Sequence, residues 1–336
     1  MPGRWTASLN ACTPSPCVPL PPARDSHTAV YNPTSDRMIV FGGRGTSQIL
    51  SDLWILENAS STTTAVWSNP TAANAPSARL GHTAVYRESS NQMTVFGGSF
   101  NSDGTSLTNQ VFGLSNADAS ASTPVWNGPL GAGGPTARWG HAAVYDSAGD
   151  KMVVFGGSTQ TGQGLSNEVW VLDQASTSVP LWRQITTIGG PSARCCMAAG
   201  YDAVNRRMIL FGGSGFGQSG PVVFDDLWTL TFNSTFTTAT WKELTLSGGT
   251  APSARCCGVG LWDGSAFLLF GGGQFGNPSD DKIYALVLQP TTFAVAAGPG
   301  GGPVARTFPT AVPAGRFLLF GGAGGVGPLN DLWRLE

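Results

Sequence analysis

The hydrophobic positions of this chain come in short bursts without the three- and four-residue rhythm of helices. Thr28-Ala-Val-Tyr-Asn32, Met38-Ile-Val-Phe41 and Leu53-Trp-Ile-Leu56 follow one another within thirty residues, and turn formers such as Asn32-Pro-Thr-Ser-Asp36 separate the first two. Runs of four or five residues bounded by Gly, Pro, Asn and Asp read as strands. Met38 to Phe41 is apolar at every position, so such a strand must be covered on both faces. Asp146-Ser-Ala-Gly-Asp150 and Asp202-Ala-Val-Asn205 repeat the turn chemistry of residues 32–36, and all three predict hairpins. No segment offers a helical alternative, and the pattern predicts an all-β chain.

The bursts recur with a period. Phe-Gly-Gly begins at Phe41, Phe96, Phe155, Phe211, Phe270 and Phe320, at spacings of 55, 59, 56, 59 and 50 residues. Pro-x-Ala-Arg stands ahead of each copy and ends at Arg24, Arg79, Arg138, Arg194, Arg255 and Arg306. Behind each copy lies a strand centred on an aromatic: Trp54, Phe112, Trp170, Trp228, Tyr284 and Trp333. A fourth strand carries Trp67, Trp126, Trp182 and Trp241, then Phe293. That series is one short of six, and Trp5 precedes the first Pro-x-Ala-Arg as Trp67 precedes the second. A chain that ends one strand short and begins with one to spare closes into a ring, which leaves no open terminal blade. The prediction is a single domain over residues 1–336: a six-bladed β-propeller whose N-terminal strand completes the last blade.

The run His-Thr-Ala-Val-Tyr, Arg-Met-Ile-Val-Phe-Gly-Gly and Asp-Leu-Trp-Ile-Leu, between His27 and Leu56, resembles kelch-repeat β-propellers, and the resemblance extends from Trp5 to Leu335. The copies run slightly longer than the usual ~50-residue kelch unit, which long loops account for. The sixth blade departs most: Phe293 replaces the outer Trp, Pro309 and Pro313 enter its inner strand, and residues 296–303 are only Gly, Ala and Pro. The sixth blade is expected to be the least regular. In such a blade the loop entering strand one and the loop leaving strand two share a rim. Pro-x-Ala-Arg should therefore sit beside the long segments that follow Phe-Gly-Gly. Sites favour loops on a rigid scaffold, and this rim is the expected one.

Composition narrows the function classes. Charged residues are 11% of the chain, with three Lys and five Glu, and the net charge is −2 with a pI near 5.9. A nucleic-acid partner would demand a basic footprint, and none is present. No apolar run approaches the ~18 residues of a membrane span. Nine of eleven Trp occupy repeat positions, with Trp262 where other units have Tyr and Trp139 alone outside the pattern. Few aromatics are left over for a cofactor, and none is expected. Low Lys with rich Ser, Thr and Asn, together with Cys12-Thr-Pro-Ser-Pro-Cys17 read as a small disulfide loop, favours an extracellular or periplasmic protein. No signal peptide is visible at Met1, and a monomer is expected.

Three residue sets could carry chemistry. Arg24, Arg79, Arg138, Arg194, Arg255 and Arg306 could place six guanidiniums around the channel mouth as a receptor for a carboxylate, phosphate or sulfate. The alternative, which repetition in all six units favours, is that each bonds the loop carbonyls or an acid of an adjacent blade, such as Asp52, Glu168, Asp226 or Asp331. His27, His82 and His141 each follow an Arg by three residues. A three-histidine metal site would need them to converge within about 2 Å of one ion, whereas strands of different blades diverge, so no metal is expected. Histidine at that point is also what kelch units commonly carry. Cys195-Cys196 and Cys256-Cys257 lie at matching positions of adjacent blades, either as one inter-blade bridge or as buried thiols.

The resemblance also brings enzymes into view. A galactose oxidase-like copper site and the iron motif of nitrile-specifier proteins lack their residue sets here, while an acidic-sugar mutarotase or epimerase would need only Arg and a carboxylate on the loops. Fold does not decide this. The expectation is a non-catalytic binding module for a protein or glycan, acting through the six Arg and the rim aromatics Phe100, Phe216 and Phe275, with the sugar enzyme as the alternative.

Overall fold

Each predicted run becomes a strand, and the strands of one repeat form one antiparallel sheet. The protein is described from a computed structural model, which covers residues 4–7, 19–159, 164–217, 220–274, 277–288, 291–296 and 302–335. Blade one is built from Thr28–Asn32, Arg37–Arg44, Ile49–Glu57 and Val66–Ser68, from the channel outward. The next four blades begin at Thr83–Arg87, Ala142–Asp146, Ala198–Asp202 and Cys256–Trp262 and repeat that order. The outer strands of blades three and four are also joined in parallel, Thr186 to Ile188 beside Thr238 to Thr240.

The sixth blade consists of Thr310–Val312, Phe317–Phe320 and Leu332–Leu335, and its outer strand is Trp5–Ala7. Trp5 pairs with Leu335 and Ala7 with Trp333. Its inner strands are the shortest of the ring, and Pro309 and Pro313 bracket the innermost one, Thr310–Val312. The strand that carries Phe293, Thr291–Ala296, closes the fifth blade and not the sixth, because the sixth takes its outer strand from Trp5–Ala7.

The core lies between blades. Both faces of each second strand are covered, and the apolar residues sort into six clusters, each shared by two neighbouring blades. The repeated aromatics meet across these interfaces. The Phe of Phe-Gly-Gly packs on the outer Trp of the next blade, with ring centroids 4.7 Å apart for Phe41 and Trp126, 4.7 Å for Phe96 and Trp182, and 4.8 Å for Phe155 and Trp241. Phe320 meets Trp67 at 5.0 Å and Phe270 meets Trp5 at 5.4 Å, so the N-terminal Trp fills the same slot at the closing interface.

The connections between blades lie flat on those indoles. A Cβ on Gly134 would stand 2.3 Å from Trp182, one on Gly190 2.7 Å from Trp241, and one on Gly302 2.7 Å from Trp5. The Gly pairs ahead of Pro-x-Ala-Arg are thus the counterpart of the outer Trp.

Removing residues 1–10 should lower the melting temperature far more than trimming a free terminus. Trp5→Ala alone should cost about 3–5 kcal/mol, the usual loss for a buried Trp. Chemical denaturation of both variants checks this, and unchanged midpoints would refute the closure.

Candidate functional site

The rim predicted from chain direction is formed as expected. The residue after each rim Arg pairs with the segment after Phe-Gly-Gly: Asp25 with Arg44, Leu80 with Ser99, Trp139 with Ser158, Cys195 with Ser214, Cys256 with Gly273 and Thr307 with Ala323.

The six Arg do not line the mouth. Their exposure is 0–1%, and each side chain folds back over its own blade. The Nε donates to the carbonyl two residues earlier, Pro22, Ser77, Thr136, Ser192, Ser253 or Val304. The Nη1 donates to the carbonyl of the first Gly of Phe-Gly-Gly, at 3.0 Å from Arg24 to Gly42 and 2.8 Å from Arg138 to Gly156, and likewise at Gly97, Gly212, Gly271 and Gly321. Five guanidiniums pair with a carboxylate: Arg24 with Asp52, Arg138 with Glu168, Arg194 with Asp226, Arg255 with Asp280 and Arg306 with Asp331. The acid comes from the same repeat, not from an adjacent blade. Burial alone would raise the carboxyls of Asp52, Glu168, Asp280 and Asp331. Their Arg partners, joined by an indole or phenol donor from the third strand, override it and hold all four below the usual range.

The backbone of the same segment crosses to the neighbouring blade. The second Gly of each Phe-Gly-Gly donates to the Arg carbonyl of the next blade: Gly43 to Arg79, Gly98 to Arg138, Gly157 to Arg194, Gly213 to Arg255, Gly272 to Arg306 and Gly322 to Arg24, at 2.8–3.0 Å. Two residues beyond each Arg a second circuit runs. Gly81 donates to Ser26, Gly140 to Gly81, Cys196 to Gly140, Cys257 to Cys196, Phe308 to Cys257 and Ser26 to Phe308, at 2.6–3.2 Å. This cycle of backbone hydrogen bonds is closed. All six residues have φ between +53° and +67°, a region that only glycine enters without cost. Ser26, Cys196, Cys257 and Phe308 hold it because the circuit demands it.

The circuit frames a cavity of about 170 Å³ at the channel mouth, with His27, His82 and His141 on one side and Cys196, Met197 and Cys257 on the other. Each imidazole is a wedge between blades. Its Nε2 shares a hydrogen bond with a Thr of the preceding blade, His27 with Thr310, His82 with Thr28 and His141 with Thr83, at 2.7–3.0 Å. Each ring also stands edge-on to a Phe, Phe320, Phe41 or Phe96. Burial first, and then the nearby rim Arg, depress their basicity, to about 3 for His82, so all three are neutral at pH 7. Among the described residues no three His, Cys, Asp or Glu are grouped to hold a metal ion.

Cys195, Cys196, Cys256 and Cys257 are free thiols. The Sγ atoms of Cys195 and Cys196 lie 3.4 Å apart and those of Cys256 and Cys257 2.9 Å apart. A thiol contact on Cys195 and burial on Cys257 lead the causes that push these groups well above the ordinary thiol range. Phe216 is exposed on the hairpin of Ser214–Gly217 and Gly220–Val223, while Phe100 is half-buried, its ring 5.4 Å from the Arg79 guanidinium carbon. Phe275, Cys12 and Cys17 lie outside the described residues.

Fold and rim together define a kelch-type propeller. Residues 5–102 and 87–275 match the KLHDC2/KLHL20/DRC7 Kelch-repeats domain, and the chain belongs to the kelch-repeat family. It is 30% identical over 268 residues to Adagio-like protein 1 of Oryza sativa subsp. japonica, covering 76% of this chain and 40% of that protein. It is 27% identical over 278 residues to acyl-CoA-binding domain-containing protein 5 of Arabidopsis thaliana, covering 81% of this chain and 38% of that protein. The chain thus spans less than half the length of these relatives. A solved structure titled "Structure of YjhT" superposes with a TM-score of 0.67 at 16% identity, covering 94% of this chain and 98% of that one, and shows the same fold.

Two outcomes check the site. Arg194→Ala leaves Asp226 without its cation and should cost about 3–5 kcal/mol, with less loss for Arg138→Ala because Glu168 is 39% exposed and can rehydrate. Unchanged midpoints would return these side chains to solvent. The second outcome is pH dependence. The three His are uncharged in the fold but take up protons when unfolded below about pH 6.5. The unfolded state therefore binds more protons, and stability falls as pH drops from about 6.5 toward the depressed folded values, by up to about 1.4 kcal/mol per unit per His. Denaturation midpoints between pH 7 and 5 should show this slope, reduced by about a third in His82→Asn. A flat profile would contradict the burial.

Proposed function

We propose that this propeller is a protein-binding module whose contact face is the rim formed by the Pro-x-Ala-Arg segments and the loops after Phe-Gly-Gly. The observation that carries the reading is where aromatic surface is left. Phe216, at 43% exposure, is the one exposed aromatic among the described residues, and it stands on this rim. Half-buried Phe100, Trp139, Phe224 and Phe308 lie on the same face, with Val304 and Val326 exposed beside them. Aromatic surface with few charges at its centre is the composition of a protein interface core. The rim Arg charge is withdrawn into the blades, so the mutarotase or epimerase reading draws no support from those six residues.

The reading is tested with an immobilised-protein array and a glycan array, probed with the full chain and three variants. Phe216→Asp and Trp139→Asp should reduce binding to specific array proteins at least tenfold. Val204→Asp, on the opposite rim and 91% exposed, should leave it unchanged. Binding that survives both rim substitutions, or that appears on glycans alone, would overturn the proposal.

A further inference from the structure

One blade lacks the acid that the other five place beside their Arg. In blade two the position two residues before the third-strand aromatic is Gln110, where Asp52, Glu168, Asp226 and Asp331 stand in other repeats. Blade five has Lys282 at that position and reaches back to Asp280 for its carboxylate. Arg79 is fully buried and makes no ion pair among the described residues. Its Nη2 donates to the Gln110 Oε1 at 3.3 Å, and the rings of Phe100 and Phe112 lie 5.4 and 5.2 Å from its guanidinium carbon. Burial with no anion to offset it lowers its pKa to about 10. A buried charge without a counterion is costly, and aromatic faces offset only part of that cost.

Gln110 also borders open space. A guanidinium has no acceptor, so the amide must turn its carbonyl toward Arg79 and its NH₂ away. Gln110 and Asn109 line a cavity of about 630 Å³ between blades two and three, whose remaining wall includes Leu130, Val179, Pro180 and Leu181. Val179 is 66% and Leu181 62% exposed, so these two side chains leave apolar surface uncovered among the described residues. Its volume is that of a small-molecule site, apolar with a few placed polar groups.

We infer that this cavity binds an apolar carboxylate, an aliphatic acid whose carboxylate accepts from the Gln110 amide beside the uncompensated charge of Arg79 and whose hydrocarbon body lies on Leu130, Val179, Pro180 and Leu181. The ligand supplies from outside the negative charge that the other five blades build in.

Calorimetry and thermal denaturation of the full chain with sodium octanoate test this, with octanamide and acetate as the neutral and tail-less controls. Octanoate should bind and raise the melting temperature, and both controls should bind at least tenfold more weakly. Gln110→Asp gives Arg79 its own acid, so it should raise the unliganded melting temperature and weaken octanoate at least tenfold. Leu181→Asp leaves the Arg79 surroundings untouched and should weaken octanoate similarly through the tail. No octanoate binding to the unsubstituted chain, equal binding of octanamide, or undiminished octanoate binding by either variant would each overturn the inference.

Discussion

The ring stands on one constraint: six blades, only two of which are joined through their outer strands among the described residues, must be tied together at the rim by their own backbones. The Arg of Pro-x-Ala-Arg meets that constraint from both ends. Its carbonyl accepts from the preceding blade's second Gly, while its guanidinium gathers the first-Gly carbonyl and, in five blades, a carboxylate of its own blade. The Gly-Gly is the other half of the joint. A Cβ on Gly42 would fall 2.9 Å from the Arg79 carbonyl oxygen and 3.0 Å from the His82 ring of the next blade, so nothing larger fits where the blades converge. Burying an Arg is costly unless every donor finds a partner, and this arrangement provides those partners inside the joint.

The periodic features were legible in the sequence and the relational ones were not. Phe-Gly-Gly, the two aromatic series and the odd strand at Trp5 gave blade number, strand order and closure, because each is a local pattern repeated in register. Which way an Arg faces is not local. Six Arg at equivalent positions can be read as a ring of charge or as six clamps; repetition favours the clamp, but its partners became visible only when the first-Gly carbonyl proved to lie within reach of the Nη1. The acids on the third strand were partly readable, but Asp280 was missed because blade five shifts its carboxylate two residues. The hydrogen-bonded circuit at the mouth left a sequence signal in only two of its six positions. Gly81 and Gly140 hint at positive φ, whereas Ser26, Cys196, Cys257 and Phe308 conceal it.

Symmetry in the scaffold makes its exceptions informative. The His wedges serve three interfaces, and Met197, Gly258 and Pro309 line the mouth at the same position in blades four, five and six. Those differences leave the backbone circuit unbroken, and the circuit position itself, one residue earlier, accepts Ser, Gly, Cys and Phe in turn. Gln110 is a different kind of exception, since it changes the electrostatic balance of a buried charge without changing the fold around it. The repeat departs from itself in two places: in the unequal rim loops that carry Phe216 and Trp139, and in blade two, where Arg79 makes no ion pair among the described residues.

The central claim is that the rim joint makes six blades one cooperative unit. Native-state hydrogen exchange measures this directly at the amides of Gly43, Gly98, Gly157, Gly213, Gly272 and Gly322, which donate across the six interfaces. The account predicts that all six, including Gly322 at the closing interface, exchange only through global unfolding, with a free energy equal to that from denaturation. Exchange at any of them through a lower-energy opening that leaves its blade's central strands protected would contradict it.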